Sequence, residues 1–185
     1  MVSPQIEEQI RECFGRVVYS HKTHEKCADL LDERLRRIKL GQLLLAAITT
    51  GGLITVLFGE PHTSHFAALV SAVFSTMLLG LNAYSKDFEP GRISQEHRVA
   101  AGKLWNVRES YLSLLADTKS GAMSEDEARN RRDELQAKLA SVYETAPRTF
   151  AKGYEAARDA LKLKEDLTFS DAEINQFLPE HLKKP

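Results

Sequence analysis

Apolar and polar residues follow three different patterns along this chain. Between residues 6 and 38, Ile6, Ile10, Cys13, Val17, His21, His24, Ala28, Leu31, Leu35 and Ile38 recur every three or four positions. That spacing puts them on one face of a long amphipathic helix. From Leu40 to Gly59 the periodicity ends, and 20 residues pass without a charge. The 20 residues from Phe66 to Ser85 are equally free of charge. The spacing of three and four then returns in Leu104, Val107, Tyr111 and Leu114, in Ala128, Leu135, Leu139 and Val142, and in Phe150, Tyr154, Ala157 and Leu161. No long strand-like alternation and no internal repeat interrupts this order.

The punctuation agrees with a chain of helices. Ser3-Pro4 with Glu7 and Glu8 behind it is a helix start, a cap and a proline followed by acid. Asp87-Phe88-Glu89-Pro90-Gly91 breaks the chain after the second uncharged run, and Lys119-Ser120-Gly121 ends the next helix. Ser124 with Glu127 and Ser170 with Glu173 are capping boxes. Ala146-Pro147 separates two stripes, and Leu178-Pro179 closes the last short helix. The expected fold is all-α, a two-helix transmembrane hairpin with long cytoplasmic helices forming an antiparallel bundle. Its parts are an N-terminal helix over 4–39, a hairpin over 40–85 with spans 40–59 and 66–85, and a C-terminal helical region over 92–182.

Average composition alone would point to a soluble protein, since 28% of residues are charged and the net charge is −1. The uneven distribution overrides that average. A hydrocarbon core of ~30 Å takes about 20 residues of helix, and a soluble helix of that length needs one face for water. The connector Glu60-Pro61-His62-Thr63-Ser64-His65 is short enough to force antiparallel neighbours. It holds no Lys or Arg, whereas Lys22, Lys26, Arg34, Arg36, Arg37 and Lys39 precede the first span and Lys86, Arg92, Arg98 and Lys103 follow the second. The positive-inside rule therefore places both chain ends in the cytoplasm, with the basic side chains beside Arg36 facing anionic lipid headgroups. Residues 1–8 lack the basic start and apolar core of a secretory signal, so entry is expected through the internal spans.

Within the spans, Ala68, Ala72, Thr76 and Gly80 form a small-residue ridge, as do Ala47, Gly51 and Thr55. Small ridges allow close helix approach in lipid, where packing drives association. Gln42 and Thr49 on the first span, with Ser71, Ser75 and Asn82 on the second, make a candidate polar seam. Gln42 is expected at the depth of Asn82, and Thr49 near Ser75. These groups either bond each other inside one hairpin or line a seam shared between copies. No ionisable residue lies in mid-span, which argues against a proton pump or ion-coupled transporter.

Candidate chemistry is sparse. Tyr19-Ser20-His21-Lys22-Thr23-His24-Glu25-Lys26 sets His21 and His24 on one helix face, with Glu25 four residues after His21. The order differs from His-Glu-x-x-His, and no third ligand is evident, so packing histidines are expected, with a pH- or ligand-sensing pair as the alternative, and no metal. Cys13 and Cys27 read as small packing residues of a cytoplasmic helix. There is no phosphate-binding glycine loop and no Gly-x-Ser-x-Gly, and Leu161-Lys162-Leu163-Lys164 is too small for a nucleic-acid patch. No catalytic residue, no cofactor and no direct nucleic-acid binding are expected.

The motif from Tyr19 to Lys26, the two close spans, and the later Tyr143-Glu144-Thr145-Ala146-Pro147 and Leu167-Thr168-Phe169-Ser170-Asp171 resemble the SLATT domain, the SMODS- and SLOG-associating two-transmembrane effector domain. The resemblance runs from about Ile6 to Leu182 and singles out Tyr19, His21, His24 and Glu25. It implies a bacterial inner-membrane effector of anti-phage conflict systems. Such a protein is encoded beside a nucleotidyltransferase, a SLOG-type sensor or a reverse transcriptase. On activation it would assemble as a homo-oligomer, form a pore or otherwise breach the membrane, and arrest growth. A passive anchor for a cytoplasmic partner and a small transporter subunit are the competing readings.

Overall fold

The computed structural model describes residues 2–184; Met1 and Pro185, the two ends expected in the cytoplasm, lie outside the described residues. The chain is built from six α-helices among those residues: α1 (Pro4–Phe58), α2 (Pro61–Phe88), α3 (Pro90–Ser120), α4 (Glu125–Thr145), α5 (Ala151–Lys162) and α6 (Asp171–Phe177). A single 3₁₀ turn follows at Glu180–Leu182. The described residues contain no strand.

Helix α1 is 55 residues long, or about 80 Å at 1.5 Å per residue. It passes without a break from the amphipathic segment into the uncharged one. The chain reverses at Gly59, whose backbone N–H donates to Thr55 O at 2.8 Å. The turn is tighter than the six-residue connector expected, because Pro61 starts α2 directly. Proline's fixed φ suits the first helical position, and its missing N–H costs nothing there. His62, Thr63, Ser64 and His65 thus form the first turn of α2.

The return path is nearly as continuous. The expected break at residues 87–91 reduces to Glu89, held in the left-handed region at φ 37°, between α2 and α3. Pro90 again begins the helix, so α3 starts two residues ahead of the expected boundary at 92. Helices α2 and α3 together run back along α1.

The core of the bundle outside the hairpin has two layers. Far from the hairpin, Ile6, Ile10 and Val17 of α1 meet Leu104, Val107, Tyr111 and Leu114 of α3 and Ala128, Leu135 and Val142 of α4. Nearer the hairpin, α5 replaces α4 against α1 and brings small residues, Gly153, Ala157 and Ala160, into the contact. A Cβ on Gly153 would overlap the Sγ of Cys27. This corrects the expected stripe of Phe150, Tyr154, Ala157 and Leu161: Ala157 is buried, but Tyr154 is 52% exposed and Phe150 36%. Close helix approach selects size here, and the apolar rings are left outside.

The capping box at Ser124 and Glu127 is complete, and so is that at Ser170 and Glu173. Both cysteines are free and buried.

Candidate functional site

Two regions hold the candidate residues: the hairpin, and a polar layer of the bundle between the hairpin and the apolar core. In the hairpin, the large side chains point outward. Leu43, Leu44, Leu53, Leu57 and Phe58 of α1 and Phe66, Leu69, Met77 and Leu79 of α2 are all exposed. No part of the most apolar stretch of α1 is buried. A surface of that kind and length is stable in lipid and not in water.

The inner seam of the hairpin runs through Gln42, Leu45, Thr49, Gly52 and Val56 on α1 and Ala67, Ser71, Phe74, Leu78 and Leu81 on α2. These positions alternate steps of three and four. Three of the five candidate polar residues, Gln42, Thr49 and Ser71, lie along it, and the exposed Asn82 reaches it through Gln42. Gln42 Nε2 donates to Asn82 Oδ1 at 2.8 Å, and Ser71 Oγ donates to Thr49 O at 3.5 Å. Ser71 is buried, and Thr49 therefore neighbours Ser71 instead of Ser75. Ser75 is exposed.

The small-residue ridges are placed elsewhere. Ala68, Ala72, Thr76 and Gly80, and likewise Ala47, Gly51 and Thr55, are exposed. A Cβ added at Gly51 or Gly80 would meet nothing within 4 Å, whereas one at Gly52 would overlap Ser71 Oγ. Close approach inside the hairpin uses Gly52 and Ser71. Each four-residue step turns about 40° around a helix, so a ridge of strict fours leaves a seam built on alternating threes and fours.

The polar layer holds the histidine motif. His21 and His24 are both buried on α1. His24 Nδ1 lies 2.9 Å from Nδ1 of His97 on α3, so one ring donates and the other accepts. Burial, then His97 and His21, pushes His24 down to about 4. Burial also lowers His97. His21 is lowered chiefly by burial, against the pull of Glu25, whose Oε1 lies 3.6 Å from His21 Nε2. Neutral imidazoles are therefore built into the α1–α3 contact.

Lys22 sits beside them with its side chain 9% exposed. Its Nζ bonds Asp166 at 2.9 Å and Glu25 at 3.1 Å, tying the segment after α5 back to α1. Burial disfavours the ammonium, but the two carboxylates outweigh it and raise the Lys22 pKa. Ser94 Oγ donates to Asp32 at 2.5 Å, and Arg98 pairs with the same carboxylate. Arg34, at the start of the hairpin, stacks over Tyr84 at 5.4 Å and Phe88 at 5.7 Å.

Tyr19, the first residue of the motif, stacks on Tyr154 with ring centroids 6.0 Å apart. Ser20 Oγ lies 2.6 Å from the Tyr143 hydroxyl. The segment 19–24 and the segment 143–147 thus meet in space, although the sequence separates them by more than a hundred positions. His97, Ser94 and Asp32 were missed by the sequence reading. Their signal was present, since stepping back seven residues along the α3 stripe from Leu104 reaches His97.

The profile of the SMODS and SLOG-associating 2TM effector domain family 4 matches residues 6–173. No curated protein and no solved structure matches the chain.

Proposed function

The chain belongs to family 4 of the SMODS and SLOG-associating 2TM effector domains, and from that membership we propose that it acts in a bacterial inner membrane, with both termini cytoplasmic, as a defence effector that assembles into a pore. One hairpin cannot enclose water, so several copies are required. The supporting observation is the placement of the ridges. Internal polar groups of the hairpin are satisfied at Gln42–Asn82 and Ser71–Thr49. The outer faces carry Ala47, Gly51 and Thr55 on α1 and Ala68, Ala72, Thr76 and Gly80 on α2, all exposed. In lipid such faces favour another helix over acyl chains. Ser75, also exposed and outside both of those pairs, is the polar side chain of α2 offered to a lumen.

The trigger is assigned to the cytoplasmic bundle, through a neighbouring nucleotidyltransferase, SLOG-type sensor or reverse transcriptase. Bacteria expressing the chain with its genomic neighbour are challenged with phage and followed with a membrane-potential dye. Wild type should depolarise. Gly51→Leu with Gly80→Leu should insert normally, because both sites are open within the hairpin, yet leave the potential intact. Growth arrest with potential and permeability preserved would sink the pore and favour a membrane-anchored scaffold.

A further inference from the structure

The extended linker Ala146–Phe150, between α4 and α5, lies over the motif segment of α1 and leaves a cleft of about 500 Å³. Pro147 keeps this linker out of the helices on either side. The volume falls in the range of small-molecule sites, well above the needs of a bare inorganic anion.

Three tyrosines shape the cleft. Tyr19 and Tyr154 are stacked with an interplanar angle of 27°, and Tyr143 is anchored by its 2.6 Å contact with Ser20. Tyr154 and Tyr143 are 52% and 45% exposed. Helix α5 packs through Gly153 and Ala157, which leaves Tyr154 half exposed against Tyr19. Exposed rings held in place are stacking platforms for a flat, unsaturated ring.

The charge on the lining is one-sided. Arg148 is its one charged side chain apart from the titratable His24, and no carboxylate lines it. Most arginines of this chain pair with a nearby acid, but Arg148 makes no ion pair among the described residues. A free guanidinium beside aromatic faces matches phosphate, which it grips with two parallel hydrogen bonds. His24 also lines the cleft, and with its Nδ1 engaged by His97 it has only its Nε2 edge left to offer. The hydroxyls of Ser20 and Thr149 supply donors and acceptors for a sugar.

We propose that this cleft is a binding site for a nucleotide, with the base on the tyrosine faces and the phosphate on Arg148. A bound nucleotide would bridge α1, the end of α4 and the start of α5. The assignment stands apart from the pore reading, because it is read out by binding alone.

The test is calorimetry on the full-length protein in detergent with AMP, GMP, CMP and UMP, and with adenosine and inorganic phosphate as the separated halves. At least one monophosphate should bind, and adenosine and phosphate should each bind roughly tenfold or more weakly than AMP if AMP is that nucleotide. Arg148→Ala should weaken the monophosphate by about tenfold or more while leaving adenosine unchanged. Tyr154→Ala should weaken nucleotide and nucleoside together, and Tyr154→Phe should restore both. Both residues are exposed, and circular dichroism would confirm that each variant folds. Silence from all four monophosphates at about 1 mM, or an Arg148→Ala titration equal to wild type, overturns the proposal. Binding without depolarisation in cells would leave the cleft standing and remove the pore; the reverse result would do the opposite.

Discussion

Helix α1 passes through two solvents, and its two halves are packed inside out relative to each other. In the amphipathic half, Ile6, Ile10 and Val17 are buried and most charged residues face out, Lys22 being the buried exception. In the membrane half, Leu43, Leu44, Leu57 and Phe58 face out, and the contact with α2 uses Thr49, Gly52 and Ser71. The difference follows from what drives each contact. Water expels large apolar side chains into a core. Lipid does not, so backbone proximity and hydrogen bonds hold the hairpin. The histidine layer lies between these regimes, with small residues and neutral imidazoles where the core elsewhere has leucine.

The contrast can be broken most sharply by equal truncations on the two halves. Leu104→Ala, at a fully buried position, should cost about 4 kcal/mol. Leu44→Ala, on the outer face of the hairpin, should change stability by less than about 0.5 kcal/mol. Denaturant melts in detergent followed by Trp105 fluorescence would compare them. Equal losses would mean that the outer face of the hairpin packs against protein.

Acid should act on the layer between. His24, His21 and His97 are all lowered in the folded protein, His24 from 6.5 to about 4. The unfolded chain therefore binds more protons in that window, and stability falls as pH drops from 6.5 towards 4. For His24 alone the loss is about 3 kcal/mol, complete near the folded value and absent above the unfolded one. Melting temperatures between pH 7.5 and 4.5 would record it, and His24→Asn with His97→Asn should flatten the profile. A flat profile in wild type would contradict the buried neutral pair.

Smaller effects separate the inner and outer faces of the hairpin. Gly52→Ala forces a Cβ onto Ser71 and should cost about 2 kcal/mol, while Gly51→Ala, one residue away in open space, should cost nothing or stabilise slightly. Unfolding in mixed micelles would distinguish them; equal effects would misplace the seam. The smallest loss expected from a residue in the seam is that of Gln42→Ala, at about 0.6 kcal/mol for one hydrogen bond between membrane helices. A loss of several kcal/mol would mean that the Gln42–Asn82 pair holds more than one hairpin.

The helices and both membrane segments were legible because each depends on periodicity or its absence. The stripes of α1 and α3 read directly from the chain, since the large residues on those stripes are buried. The packing face of α5 did not, because Gly153 and Ala160 carry almost no hydropathy signal and fit by size alone. The ridges at Ala68 and Ala47 were legible as small, but their direction depends on which face α2 presents to α1. The cleft was the least visible part. Its Tyr143 and Arg148 come from a different helix and linker than Tyr19, and no local spacing joins residues so far apart.

No proline interrupts α1 after Pro4, whereas the antiparallel path has a joint at Glu89. The two strands of the scaffold are thus mechanically unequal. The first is a lever that reaches from the Tyr19 cleft to the end of α1 at Phe58, about 60 Å away at 1.5 Å per residue. A tilt of about 5° at its Tyr19 end would sweep the tip by roughly 5 Å, one helix pitch. The second is divided at its elbow, so α2 and α3 are separate helices where α1 is one. The protein thus carries in its backbone the asymmetry of a crank, continuous on one side and jointed on the other.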